Sequence, residues 1–423
     1  MPRARVAFYG DDFTGSVDAL LQFARRGWTG RLFTRLPDAA VLARAAAEVD
    51  VVGVAGISRS LSPDDMDAEL RPVLAAFATL APDLVQYKAC STADSSPRVG
   101  SLGRVIELGR DVFGERPVPM LFAQPDFGRY TLFGQHFAAE RGTVYRLDRQ
   151  PTMSRHPSTP MTEADLAIHI GRQTELPIGS VPLLAFDDLA PRLRDAPHAA
   201  LVLDALTDEH LVAVGKALGA LPRPVFAIGS GGLSHGIAEA APGDGPVLPT
   251  STTAAGPVLV VSGSRSAQTR RQADAAAAAG WLVRPLPLRA SERDVTAAEV
   301  VRVLLSGRGV VLTSDDIDAA AAGERPVLEA IAEAAASVIS IVARDGASRR
   351  VIVCGGDTSS RVTRLLGVES LSIAANPWAN IVLLRAWSGD AAIDGLELLL
   401  KGGQVGSDTL FTDIAGLGDD PAR

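Results

Sequence analysis

Two adjacent carboxylates, Asp11 and Asp12, close an apolar run near the start of the chain, in Val6-Ala-Phe-Tyr-Gly-Asp-Asp-Phe-Thr-Gly-Ser16. Adjacent carboxylates repel, so a junction that keeps both suits negative charge, polar acceptors or a metal ion. One Asp or Thr alone would read as a helix cap. Both aspartates with Thr14 and Gly15 read as a ligand site. A second junction, Ser262-Gly263-Ser264, places small residues between an apolar run and a helical pattern, where exposed backbone N–H groups at a positive helix end suit phosphate. An ordinary strand-to-helix turn uses the same residues. A third, Gly355-Gly356-Asp357-Thr358, lets a phosphate or nucleotide approach the backbone, and its Asp357 suits a metal-bound water or a proton, or serves as a cap. The turn at Gly403 to Gly406, preceded by Lys401, is also glycine-rich. Two such turns in one region favour a nucleotide.

Cationic residues sit at comparable places. Lys88 precedes a polar stretch with Ser91, Thr92, Asp94, Ser95 and Arg98; Arg59 follows the run at residue 51; Arg129 follows Gly128. Each arginine taken singly reads as a solvated surface group. Their convergence at strand ends of an acidic protein suggests a small anionic substrate, such as a carboxylate held bidentately. There is no GxxxxGK[ST] phosphate loop and no HExxH zinc motif. His136, His156 and His235 lack ligand spacing and read as structural or peripheral.

The elements that must position these residues alternate. β-rich runs such as ARVAFYG, VDVVGVAG and VLVVSG are followed by Ala- and Leu-rich amphipathic runs, the pattern of parallel sheets covered by helices. In such α/β folds ligands bind outside the carboxyl ends of the strands. The pattern breaks over residues 241–257, APGDGPVLPTSTTAAGP, and then restarts. This divides the chain into a domain over 1–240, a connection over 241–257 and a domain over 258–423.

At 423 residues the chain exceeds one ordinary core. A net charge of −8 argues against a general nucleic-acid or anionic-membrane surface. Cys90 and Cys354 make neither a CxxC pair nor a four-ligand zinc site. The first strand pattern begins at Val6, leaving no room for a signal peptide, and no apolar run approaches the ~20 residues of a membrane span. The expectation is a cytoplasmic protein.

The order DDFTG, a Lys-plus-Ser/Thr/Asp loop near residue 90, GR-x-T, HPSTPM, SGS-x-S-x-x-T-x-x-Q and GGDTS resembles the four-carbon acid sugar kinase family over nearly the whole chain. Single motifs are weak, and their order is specific. The resemblance implies an N-terminal sugar-acid-binding domain, a C-terminal nucleotide-binding domain and ATP-dependent phosphorylation of a small aldonate, with Mg2+ accompanying ATP and the active site in the interdomain cleft. By position it implies nucleotide binding at Ser262, Gly263, Ser264, Gly355, Gly356, Asp357, Thr358, Gly403 and Gly406. It implies substrate binding at Asp11, Asp12, Arg59, Lys88, Ser91 and Arg129, with Asp357 and Asp12 as rival catalytic bases.

Two departures narrow the choice. Typical members read ADD and K-x-x-D-S-T-x-R-G, whereas this chain reads Gly10-Asp11-Asp12 and KACSTADSSPRVGS. YGDDFTGS with a KxCSTxDSSP-like loop is similar to the branch acting on 3-oxo-isoapionate, ahead of D-threonate, L-threonate or D-erythronate kinases. A sugar-phosphate hydrolase or isomerase and a sugar-acid-binding regulator without turnover are the readings of other classes. No nucleic-acid or membrane partner is expected, and a homodimer is one assembly among those the sequence leaves open.

Overall fold

In the computed structural model, residues 4–252, 256–315, 326–379 and 381–417 are described. Two compact units divide them, Met1–Val247 and Leu248–Arg423. In the first unit, β1 (Val6–Gly10), α1 (Phe13–Ala24), β2 (Gly30–Phe33), α2 (Ala39–Glu48), β3 (Val51–Ala55), α3 (Pro63–Leu80) and β4 (Leu84–Lys88) alternate as the sequence pattern predicts. There follow α4 (Leu102–Phe113), β5 (Val118–Leu121), β6 (Arg129–Leu132), β7 (Gln135–Glu140), β8 (Thr143–Arg146), α5 (Leu166–Gly171), β9 (Ile178–Val181), α6 (Leu189–Asp195), β10 (Ala200–Leu203), α7 (Asp208–Gly219), β11 (Val225–Gly229) and α8 (Gly231–Ala240).

The main strands of this unit run β2-β3-β1-β4-β11-β5-β10-β9, all parallel. Every residue of β1, β3 and β4 is buried, as expected of strands covered on both faces. From β1 the chain passes to β2, comes back to β3 beside β1, and then crosses to β4 on the other side of β1. The β1/β4 boundary is therefore a switch point, where a crevice opens at the carboxyl ends. Register aligns those ends: Gly10 is paired with Ala55 and Lys88, and Lys88 with Gly229. A separate antiparallel meander, β6-β7-β8, is an addition that the sequence pattern did not show.

The second unit repeats the logic with β12 (Val258–Ser262), α9 (Ala267–Ala278), β13 (Leu282–Pro285), α10 (Ala290–Leu305), β14 (Val310–Thr313), α11 (Val327–Arg344), β15 (Arg350–Cys354), α12 (Gly356–Leu365), β16 (Ser370–Trp378), β17 (Ile381–Trp387), β18 (Glu397–Lys401) and α13 (Leu410–Ala415). Its strands run β13-β14-β12-β15-β18-β17-β16; the first five are parallel, and β17 is antiparallel to both neighbours. Here the switch lies between β12 and β15, and Ser262, Cys354 and Lys401 are in register.

Residues of 241–257 within the described range form no helix or strand. Gly243 and Gly245 donate to the carbonyls of Arg26 and Gly27 in the first unit, whereas Thr252 joins the second through Glu397 and Arg350. Arg350 and Glu397 form a buried ion pair at 3.0 Å. Among the described residues no helix is long and apolar enough to cross a membrane.

Candidate active site

The first cluster grows from two core tyrosines. Tyr9 and Tyr87 stack inside the sheet with centroids 5.8 Å apart, and burial raises both phenols above their ordinary range. Their hydroxyls emerge at the carboxyl edge. That of Tyr9 accepts from the Ile57 N–H at 3.2 Å and donates to Glu69, while that of Tyr87 lies 2.8 Å from Ser58 Oγ. The turn that carries Arg59 is thus fixed from below. Gly56 makes this possible, because a Cβ there would fall 1.7 Å from the Tyr9 hydroxyl.

Arg59 grips Asp11 with two hydrogen bonds, Nε to Oδ2 at 3.0 Å and Nη2 to Oδ1 at 2.7 Å, and its Nη1 pairs with Asp12 Oδ2 at 2.9 Å. This bidentate geometry is the strong form of the pair. Burial pushes the Asp11 carboxyl upward against the pull of Arg59. Burial also opposes the Arg59 charge, and the two carboxylates more than reverse that effect, leaving the guanidinium above its usual range.

Both Asp11 oxygens are occupied and the residue is 3% exposed. In this arrangement Asp11 holds Arg59 in place. Asp12 differs. It caps α1 through the Gly15 N–H at 2.7 Å, and its side chain remains one-third exposed.

Lys88, at the end of β4, is buried, donates to the Ala89 carbonyl at 3.1 Å and lies 3.8 Å from Asp18. Its Nζ stands 3.0 Å from where a Cβ on Gly15 would be, so Gly15 keeps the cation open to the start of α1. Asp18, held by Gln22 at 3.0 Å and Gln124 at 3.3 Å, was not singled out from sequence. The α1 spacing of Asp18 and Gln22, four residues apart, is the signal that could have found it.

Arg129 opens β6. Its Nη1 donates to the carbonyls of Phe127 and Ala139 at 2.6 and 3.2 Å, its Nε is buried without a partner, and burial lowers its pKa against the raising effect of Cys90 and Asp94. Ser91 is half-buried and presents its carbonyl to His136. The structure therefore brings Asp11, Asp12, Arg59 and Lys88 into one cluster and places Ser91 and Arg129 at the adjoining loop.

In the second unit the three predicted turns converge. Gly263 donates to the Cys354 carbonyl and Gly355 to that of Lys401, both at 2.9 Å. A Cβ on Gly263 would stand 2.2 Å from Thr358 Oγ1, and one on Gly403 2.3 Å from Ser264 Oγ. Ser262 Oγ accepts from the Ser264 N–H at 3.2 Å. Helix α9 binds the last turn: Ser266 and Thr269 donate to the Gly403 carbonyl, Gln268 to that of Gly406, and Gln272 to those of Val405 and Ser407. Lys401 is buried beneath, 3.2 Å from Thr269 Oγ1, with burial drawing its pKa below the usual lysine range.

Helix α12 follows Gly355, whose φ of 111° suits glycine, and has no side-chain cap; α9 is capped by Ser266. The first N–H groups of α12 are thus available to an anion. Gly356 and Asp357 are exposed there. Among the described residues no group of three or more His, Cys, Asp or Glu side chains could hold a metal ion.

Residues 6–237 match the family model described as a sugar-binding N-terminal domain, and residues 259–411 the model described as a nucleotide-binding C-terminal domain. A 3-oxo-isoapionate kinase of Paraburkholderia graminis is 40% identical, covering 96% of this chain and 93% of its own. A 3-oxo-tetronate kinase of Pseudomonas fluorescens is 29% identical over 98% of this chain and 97% of that protein. The crystal structure of a Salmonella typhimurium LT2 protein matches in fold with a TM-score of 0.78 at 23% identity, covering 97% of this chain and 98% of that one. Two domain models in this order, and a relative so similar along nearly its whole length, make the chain a member of the four-carbon acid sugar kinase family.

Proposed function

We propose that this sugar-acid kinase transfers the γ-phosphoryl group of ATP to a hydroxyl of 3-oxo-isoapionate. The observation that carries the choice of acid is the 40% identity to a protein of that activity, against 29% to a 3-oxo-tetronate kinase. The site agrees in chemistry: two cations, Arg59 and Lys88, suit the carboxylate of the acid, and the partly exposed Asp12 suits its hydroxyls. Arg129 and the Ser91 loop would complete the acceptor side.

The turns at Ser262–Ser264, Gly355–Thr358 and Gly403–Gly406 would hold the nucleotide. Mg2+, with Asp357 as its protein carboxylate, would supply charge neutralisation on the phosphates. The substrate hydroxyl oxygen bonds to the γ-phosphorus as the bond to the β-γ bridging oxygen breaks and ADP leaves. The hydroxyl proton passes to a carboxylate, for which Asp12 is assigned and Asp357 is the rival. Positioning and electrostatics carry most of the rate in such transfers. We place the enzyme in the cytoplasm, where ATP is supplied.

Coupled ADP formation with Mg-ATP against 3-oxo-isoapionate, D- and L-threonate and D-erythronate tests the assignment. Turnover of 3-oxo-isoapionate with the highest kcat/KM is the expected outcome. Preference for another acid would overturn the substrate; silence on every acid, with ligand-induced thermal stabilisation intact, would favour a binder without turnover.

A further inference from the structure

The loop after β4 carries a relay of polar side chains: Cys90 Sγ lies 3.1 Å from Thr92 Oγ1, which donates to Asp94 Oδ1 at 2.6 Å. Between them Ala93 adopts φ 51°, a left-handed conformation that a non-glycine residue keeps only where its surroundings enforce it. Two buried histidines supply that enforcement. His136 Nε2 lies 2.8 Å from the Ser91 carbonyl. His169 Nε2 lies 3.0 Å from Ser95 Oγ, which donates to the Ala93 carbonyl at 2.8 Å.

A carbonyl only accepts, so His136 must carry its proton on Nε2, and in the neutral ring Nδ1 is then an acceptor. The Thr131 hydroxyl, 2.9 Å away on the paired strand, donates to it and fixes this tautomer. We propose that His136, locked by Thr131, is a positioning residue of the acceptor site, holding the 90–95 loop in the shape that recognises the sugar acid. The inference rests on the kinase reading for its substrate, but not for its geometry.

Burial pulls both imidazoles down to about 4, so each is neutral near neutral pH. Arg129 is the charged group facing His136, and Arg172, Glu163 and Asp94 face His169. The loop is thus held without introducing a charge of its own beside Arg59, whose electrostatic reach includes Cys90.

Three variants test the assignment: His136→Leu removes the donor, His136→Gln restores an N–H near the Nε2 position, and Thr131→Val removes the hydroxyl that braces Nδ1 without touching the loop. His136→Leu should raise the KM for 3-oxo-isoapionate about tenfold, the equivalent of one lost hydrogen bond, and leave the KM for ATP within about twofold. His136→Gln should recover most of the loss. Hydrogen exchange of the amides of residues 89–96 should accelerate in His136→Leu and Thr131→Val. An unchanged acid KM in folded His136→Leu, or equal rises in both KM values, would overturn the proposal. If His136→Leu does not fold, Thr131→Val decides by the same two readouts. If the wild-type protein turns over no acid, the kinase reading fails and exchange at 89–96 alone decides, faster exchange in Thr131→Val supporting the hold and unchanged exchange overturning it.

Discussion

Asp12 is an N-cap in the structure and a proton acceptor in the proposed reaction, and the two roles separate by substitution. As an N-cap it accepts from the Gly15 N–H, and asparagine caps a helix about as well as aspartate. As an acceptor beside Arg59 it needs its charge. Asp12→Asn should therefore lower kcat by about 100-fold or more, the scale of a lost general base, with a thermal midpoint close to wild type; unchanged kinetics would remove Asp12 from the chemistry. Lys88→Met keeps the buried stem and deletes the ammonium. The KM for the sugar acid should rise about tenfold while the KM for ATP stays put, and a rise confined to ATP would contradict the placement of Lys88 on the acceptor side. The gathering of Asp11, Asp12, Arg59 and Lys88 was legible in the sequence because each follows an apolar run that reads as a strand, and the ends of neighbouring parallel strands meet. The supports were not: Tyr9, Tyr87 and Ser58 read as strand and turn, and their hydroxyls meet the Arg59 turn only through register. His136 reads as structural or peripheral in the sequence, and nothing in its spacing reveals the Ser91 carbonyl it holds.

At the scale of elements, both units place their candidate site residues after strands that flank a switch point, β1 and β4 in one, β12 and β15 in the other. The tight approach of the turns after β12 and β15 is the testable feature. Gly263→Ala would drive a methyl into Thr358, whose Oγ1 is 2.2 Å from the ideal Cβ position. The turns must part, and the KM for ATP should rise about tenfold with the acid KM unaffected; equal ATP affinity would show that these turns do not hold the nucleotide. The alternation of β-rich and Ala-rich runs predicted most of these elements. It missed β6-β7-β8, because RYTLFGQHFAAERGTVYR mixes apolar and polar residues without a clean period, and β16 and β17, whose antiparallel pairing depends on neighbours far away in sequence. The apolar run WLVRPLPL forms a strand only over Leu282–Pro285, since its two prolines remove ladder donors.

For the molecule as a whole, His136 and His169 make stability depend on pH. Both have folded-state values of about 4 against an ordinary 6.5, so the unfolded chain binds more protons between those limits. Their contribution is fully present above pH 6.5 and is lost as pH falls toward 4. Each shift corresponds to roughly 3 kcal/mol at most. Urea denaturation at stepped pH should show the decline, and His136→Gln should flatten it; a slope unchanged by that substitution would contradict the neutral buried imidazole. The division of labour between a sugar-acid side and a nucleotide side has a more direct test. ATP labelled with heavy oxygen on its γ-phosphoryl group, incubated with the protein and 3-oxo-isoapionate, can be followed by mass spectrometry of both products. The expected result is the labelled phosphoryl group on the acid, in amount equal to the ADP formed. Label found only in inorganic phosphate would contradict transfer between the two sites and make the protein a hydrolase.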